Sequence, residues 1–178
     1  QKNLVETGDK KNIDEIAAIA KGVESNAAAF SDLFKRLDPL ASGRSTSPKE
    51  LIIKQEIQGC FDVFRQDMED NKIQVEINGN DDLTFLTWQQ DIQAIFTNLI
   101  DNSIFWLKER SSIEDRRILV NIESENNKLI YVDFRDTGPG IDPVLIEDGV
   151  IFEPQFSTKP SGTGIGLAIA GEAAERNG

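Results

Sequence analysis

Asn98 and Asn102 stand four residues apart and interrupt an otherwise apolar stretch that includes Ile92, Ile95, Phe96, Leu99, Ile100 and Leu107. On a helix that spacing places both amides on one face. A partly buried amide must find hydrogen-bond partners. Two readings follow. The amides are structural and bond to backbone, or their oxygens face a Mg2+ ion and phosphates, since Mg2+ takes oxygen ligands and keeps several waters.

Asp136 ends an alternating segment and is followed by Thr137-Gly138-Pro139-Gly140. This is either a β-turn, where Asp and Gly are common, or a carboxylate placed to accept the exocyclic amine of adenine. In the second case Gly138 and Gly140 let the backbone approach the ring. Further on, Gly162-Thr163-Gly164-Ile165-Gly166-Leu167 opens a helix. Free N–H groups at a helix N-terminus suit an anionic phosphate. No apolar strand precedes these glycines, which argues against a dinucleotide-binding turn, and the Gly-Lys-Ser/Thr of a P-loop is missing. Thr158 and Lys159, just upstream, can reach phosphates from the intervening loop. Alone, Lys159 would read as a solvated surface lysine. Phe152 and Phe156 read as packing residues that pin this loop, a lid, against the core. Taken in order, the four segments point to an ATP site made by side chains, a glycine turn and a helix N-terminus.

Elements able to position these groups can be read from periodicity. Ile13, Ile16, Ala20, Val23, Ala27, Phe30, Phe34 and Leu37 alternate gaps of three and four, a heptad seam that needs a partner, either its own domain or a second helix of a dimerising bundle. Asn12 caps it and Asp38-Pro39 ends it. Ser47-Pro48-Lys49-Glu50 has the form of a capping box, predicting a helix with Ile53, Ile57, Phe61, Phe64 and Met68 on one face. Residues 72–77 and 83–86 read as strands around a turn at Asn78-Gly79-Asn80-Asp81. Thr87 and Gln90 form a second capping box before the asparagine-bearing helix. Ile118, Val120 and Ile122 mark a third strand, and Ile130, Val132 and Phe134 a fourth, joined as a hairpin. Residues 137–161 form the loop, with one helical turn near Val144, and residues 164–177 the closing helix. The order predicts an α+β two-layer α/β sandwich, preceded by a long heptad helix. Residues 1–42 form a helical dimerisation-type segment and 43–178 the nucleotide-binding domain.

Composition narrows the partners. The 178 residues carry 31 acidic against 19 basic groups, a net charge of −12. Such a surface repels phosphate backbones, so no nucleic-acid partner is expected. Cys60 is the one cysteine, which excludes an internal disulfide. The count of histidines is 0, which excludes His triads, His metal sites and His general bases within the chain. No apolar run approaches the roughly 20 residues of a membrane span. A cytoplasmic location is expected, as the soluble portion of a larger protein.

At this point the chain resembles the GHKL superfamily of ATP-binding domains, which includes gyrase, Hsp90, histidine kinases and MutL. Residues 98–102 match the N box, 136–140 the first glycine box, 152–159 the F box and 162–167 the second glycine box. The likeness covers about residues 45–178 and is closest to the catalytic domains of sensor histidine kinases. It implies the Bergerat fold, with Mg2+ and ATP as cofactors. Asn102 would be the metal ligand, and Asn98, Asn102 and Lys159 the catalytic group. Asp136, Gly138, Gly140 and Ile141 would surround the base, with Thr158, Lys159, Gly162, Thr163, Gly164, Ile165, Gly166 and Leu167 around the phosphates. The heptad segment would belong to a homodimerising bundle.

Three departures shape the functional expectation. Hydrolytic relatives carry a Glu four residues before the metal Asn; here that position is Asn98. Histidine kinases commonly carry Lys or Arg three residues after it; here that position is Phe105. The family fold continues with two more strands after the closing helix, which this chain is expected to lack. The resemblance therefore implies transfer of the γ-phosphate to a His outside this chain, in cis or in trans. Alternatives are a GHKL ATPase that clamps a dimer, or a nucleotide-sensing module without turnover.

Overall fold

The computed structural model describes residues 47–109, 112, 115–125, 129–160 and 162–177. The heptad helix expected over 12–37 lies outside the described residues, as does the hairpin tip at 126–128. The described part runs β1 (Lys49–Ile52), α1 (Ile53–Val63), α2 (Arg65–Asp70), β2 (Gln74–Gly79), β3 (Thr84–Thr87), α3 (Gln89–Lys108), β4 (Arg117–Glu125), β5 (Leu129–Asp136), α4 (Pro143–Glu147), a 3-10 turn (Val150–Phe152) and α5 (Gly166–Glu175).

Two sheets form. β2, β4 and β5 make a mixed sheet in that order, with β2 parallel to β4 and β5 antiparallel to it. β1 and β3 make a separate antiparallel pair, with Lys49 opposite Thr87 and Ile52 opposite Thr84. The larger sheet buries one face. Ile118, Val120 and Ile122 of β4 point inward, and Val75, Ile77, Ile130, Val132 and Phe134 extend that face on the neighbouring strands. The period of two that made these strands legible follows from this one-sided burial.

Helices α1 and α3 cover the buried face. Ile53, Ile57, Cys60 and Phe61 of α1 and Ile100, Ile104 and Leu107 of α3 are almost fully enclosed. Each large aliphatic side chain so buried contributes about 1.5–3 kcal/mol relative to exposure. Phe61 stacks on Phe134 at a centroid distance of 6.4 Å, tying α1 directly to β5. The α+β two-layer sandwich expected from the element order is thus the observed fold.

Both capping-box readings are corrected. Residues 49–52 are strand β1 rather than the first turn of a helix, because pairing with β3 satisfies their backbone groups. Glu50 reaches across to Thr84 Oγ1 at 3.1 Å. The helix begins at Ile53, whose N–H donates to Leu83 O at 3.1 Å. The apolar face from Ile53 to Met68 holds, but the helix breaks at Phe64 into α1 and α2. Thr87 does not cap α3 either. Trp88 occupies the cap position without a side-chain bond. The Thr87 hydroxyl instead donates to Asn177 Oδ1 beyond the end of α5. Asn78 and Gly79, read as a turn, complete β2, and the turn falls at Asn80–Asp82.

Candidate functional site

Asn98 lies at the middle of α3 and is 2% exposed. Its Nδ2 donates to Ala94 O at 2.7 Å, the backbone bond foreseen in the structural reading. Its Oδ1 has no hydrogen-bond partner among the described residues. A Cβ added at Gly166 would sit 2.7 Å from that oxygen. The first turn of α5 therefore rests on the Asn98 amide, with only the bare Cα of Gly166 between them. A helix N-terminus, which favours an anion, and a buried amide oxygen, which favours a donor or a cation, meet at one point. Asn102, one turn along the same face, is half-buried.

Asp136, at the end of β5, is bound to α3 from the other side. Its Oδ2 accepts from Ser103 Oγ at 2.7 Å and its Oδ1 from the Gly138 N–H at 2.8 Å. The first bond fixes strand end to helix; the second closes a tight Asx turn. The turn is further held by the Thr137 N–H, which donates to Arg117 O at 3.1 Å. Ser103, enclosed at 2% exposure, is a positioning residue that the sequence reading missed; its place one residue past Asn102 was the available signal.

The lid follows. Asp142 caps α4 through the Val144 N–H at 3.0 Å. Ile151 is buried, whereas Phe152 is 49% exposed. The Phe152 ring still covers α5 at Gly171, where an added Cβ would meet it at 3.2 Å. Phe156 is half-buried. Of the two aromatics expected to pin the lid against the core, Phe156 is partly enclosed and Phe152 stays exposed, and the enclosed lid residue is Ile151. Gly164 adopts φ +67° beneath the lid backbone, and a Cβ there would lie 2.6 Å from Phe156 N. Gln155 N–H donates to Gly164 O at 3.0 Å, so the lid is stitched to the glycine turn before α5.

Lys159 is folded back onto α3. Its Nζ lies 3.1 Å from Asp101 Oδ2 and 4.7 Å from the centre of the Phe105 ring. The solvated-lysine alternative is thereby excluded: the side chain is 15% exposed. Among the remaining expected site residues, Ile165 and Leu167 are half-buried around the start of α5. Gly140, Ile141, Thr158, Gly162 and Thr163 are exposed along the lid side. The structure brings together Asn98 with Gly166, Asp136 with Gly138, and Lys159 with α3.

A family model described as "Histidine kinase-, DNA gyrase B-, and HSP90-like ATPase" matches residues 88–178, from the start of α3 through the glycine turn and α5. The chain belongs to this family. It is 32% identical over 145 residues to the histidine protein kinase SaeS of Staphylococcus epidermidis, covering 77% of this chain and 39% of that protein. It is 30% identical over 179 residues to SaeS of Staphylococcus aureus strain USA300, covering 96% of this chain and 49% of that protein. The chain therefore spans less than half the length of these relatives. Among solved structures, the catalytic domain of the histidine kinase ThkA superposes with a TM-score of 0.62 at 26% identity, over 74% of this chain and 82% of that one. The fold is that of histidine kinase catalytic domains, and the four motifs of this GHKL chain fall on α3, the end of β5, the lid and the start of α5.

Proposed function

We propose that this chain is the ATP-binding catalytic domain of a protein-histidine kinase, which presents the γ-phosphate of Mg-ATP to a His outside the chain. The contact between Asn98 Oδ1 and the Gly166 end of α5 carries this reading. It fixes the helix N-terminus against the asparagine face of α3, a cradle suited to phosphate, with Asn102 one turn along that face for a hydrated cation. When bound, Mg2+ and ATP supply the transferable phosphoryl group and neutralise the charge that builds up on it.

The chain's own residues divide the remaining tasks. Asp136 accepts the exocyclic amine of adenine, its carboxylate already oriented by Ser103 and Gly138. Gly138, Gly140 and Ile141 border the base. Asn102 holds the metal through its amide oxygen. Thr158, Lys159 and the turn from Gly162 to Gly166 surround the phosphates, followed by Leu167. An amide cannot take a proton from water, so Asn98 orients rather than activates, which favours transfer over hydrolysis. Asp101, the carboxylate nearest to hand on this helix, is paired with Lys159. Since the chain holds 0 histidines, the acceptor is supplied in cis or in trans by a separate bundle. The heptad segment over 12–37 suits pairing with a second copy, as a homodimer. Among the described residues no helix is long and apolar enough to cross a membrane.

Calorimetric titration of the chain with a Mg-ATP analogue tests the site, and labelled phosphate appearing on a His-bearing bundle tests the reaction. Heat on titration and label on His are expected. A folded protein that gives no heat overturns the site, and binding without transfer by the complete kinase overturns the reaction.

A further inference from the structure

We propose that Asp101 and Phe105 form a seat that positions Lys159 for the terminal phosphate of ATP, making Asp101 a positioning residue of the site. The inference rests on the nucleotide reading above and adds residues which that reading does not use. Lysine ordinarily keeps its ammonium in water, because the charge is strongly hydrated and the stem is flexible. Lys159 instead approaches Asp101 Oδ2 at 3.1 Å and the Phe105 ring centre at 4.7 Å, across 58 positions of sequence.

The seat is built on one helical face. Asp101 and Phe105 are four residues apart on α3, so they stack one turn over the other. That face adjoins the asparagine face, since Asp101 lies three residues past Asn98. Trp106 braces the ring edge-on at 5.0 Å between centroids. A carboxylate and an aromatic face attract the same ammonium by different means, one by charge-assisted hydrogen bonding and one through the ring quadrupole. An ammonium carries three donors and can serve more than one acceptor at a time. Holding a rotamer-rich side chain in place beforehand removes an entropy cost from ligand binding. The lid thus brings a cation to position 105, where the helix itself carries none.

Charge alone makes the opposite prediction. Deleting a carboxylate beside a polyphosphate should tighten ATP. The sign of the effect therefore decides the matter. In the full chain with Mg2+, ATP and ADP are each competed against a fluorescent ATP analogue. Asp101→Asn should weaken ATP about tenfold and change ADP less than about twofold. Asp101→Glu should keep most of the ATP preference. In a Lys159→Ala background, Asp101→Asn should add nothing further. ATP binding equal to or tighter than wild type, or equal weakening of both nucleotides, overturns the seat. Should Asp101→Asn fail to fold by its melting curve, Phe105→Leu decides instead: it should lower the ATP-to-ADP preference about threefold, and an unchanged preference overturns the seat. A wild-type chain that binds neither nucleotide overturns the nucleotide reading itself. One that binds both, with variants unchanged, overturns the seat alone.

Discussion

Arg176 clasps Asp91 across 85 positions of sequence, with Nη2 2.6 Å and Nε 3.2 Å from the same carboxylate oxygen. Asn177 Nδ2 reaches the other oxygen at 3.1 Å, and Thr87 donates its hydroxyl to Asn177. The hydrogen bond from Arg176 to Asp91 holds the guanidinium above its usual pKa. This network joins the start of α3 to the end of α5. It thereby sets the line of α5, whose opposite end rests on Asn98.

Arg176→Leu leaves a carboxylate that is 10% exposed without its cationic partner. Removing the partner of a buried acceptor costs about 1–3 kcal/mol, and here Asn177 still donates to the same carboxylate. The urea midpoint should fall accordingly with an unchanged slope. Adding Asp91→Leu should recover much of the loss, because the stranded charge is then gone. If the single variant unfolds at the wild-type midpoint, the clasp carries no stability.

Gly166→Ala drives a methyl to within 2.7 Å of Asn98 Oδ1. Real Cβ contacts do not come so close, so α5 must shift or the amide must turn. The expected cost is about 1–3 kcal/mol, the range for overpacking a tight contact. Nucleotide binding should fall with it, since the first turn of α5 is displaced. Asn98→Ala in the same chain makes room, and melting temperature should then recover while nucleotide affinity does not. Recovery of both would show Asn98 to be filler rather than part of the site.

How much of this was legible in the sequence depends on the range of each interaction. The strands at 118–122 and 130–134 were readable because one face of the sheet is buried and the other faces water. The long helix was readable from its apolar stripe, and the asparagines from interrupting it. Start signals misled because they are local. Ser47–Glu50 satisfies a capping pattern, yet its backbone finds a better partner in β3. Thr87 satisfies another, yet its hydroxyl bonds a residue 90 positions away. The glycines before α5 signalled close approach, but not that Asn98 was what approached. The Asp101–Lys159 pair was equally out of reach, since nothing in either neighbourhood names the other.

Cys60 gives a prediction in pH. Burial, with a smaller contribution from Glu56, raises its thiol pKa from 9.0 to about 12. The unfolded chain therefore loses this proton near pH 9, while the folded chain keeps it to higher pH. Between those values the native state binds more protons, so stability falls as pH rises. The slope from this group approaches about 1.4 kcal/mol per pH unit. Urea midpoints of wild type and Cys60→Ala should converge from pH 8 to 11, beyond any constant cavity cost in the variant. Parallel profiles would show that the thiol titrates alike in both states. The folded thiol should also resist iodoacetamide at pH 8, since the thiolate is the reacting form.

Asp136→Asn separates the base-reading role from the structural one. The substituted amide keeps the volume and one oxygen, which can still accept from Gly138 N–H or from Ser103 Oγ. The Ser103 bond joins β5 to α3 and the Gly138 bond closes the turn, so their partial loss should cost only about 1 kcal/mol of stability. Adenine recognition is more sensitive. The amide that replaces one oxygen is a donor, and facing the exocyclic amine it sets two donors against each other while removing the charge on the acceptor. A charge-assisted bond of about 1.5–3 kcal/mol becomes a repulsion, so Mg-ATP affinity should drop roughly a hundredfold or more. Inorganic triphosphate, which has no base, should bind both proteins alike. If Asp136→Asn weakens triphosphate as much as ATP, the carboxylate acts through the fold of the turn and not on the adenine.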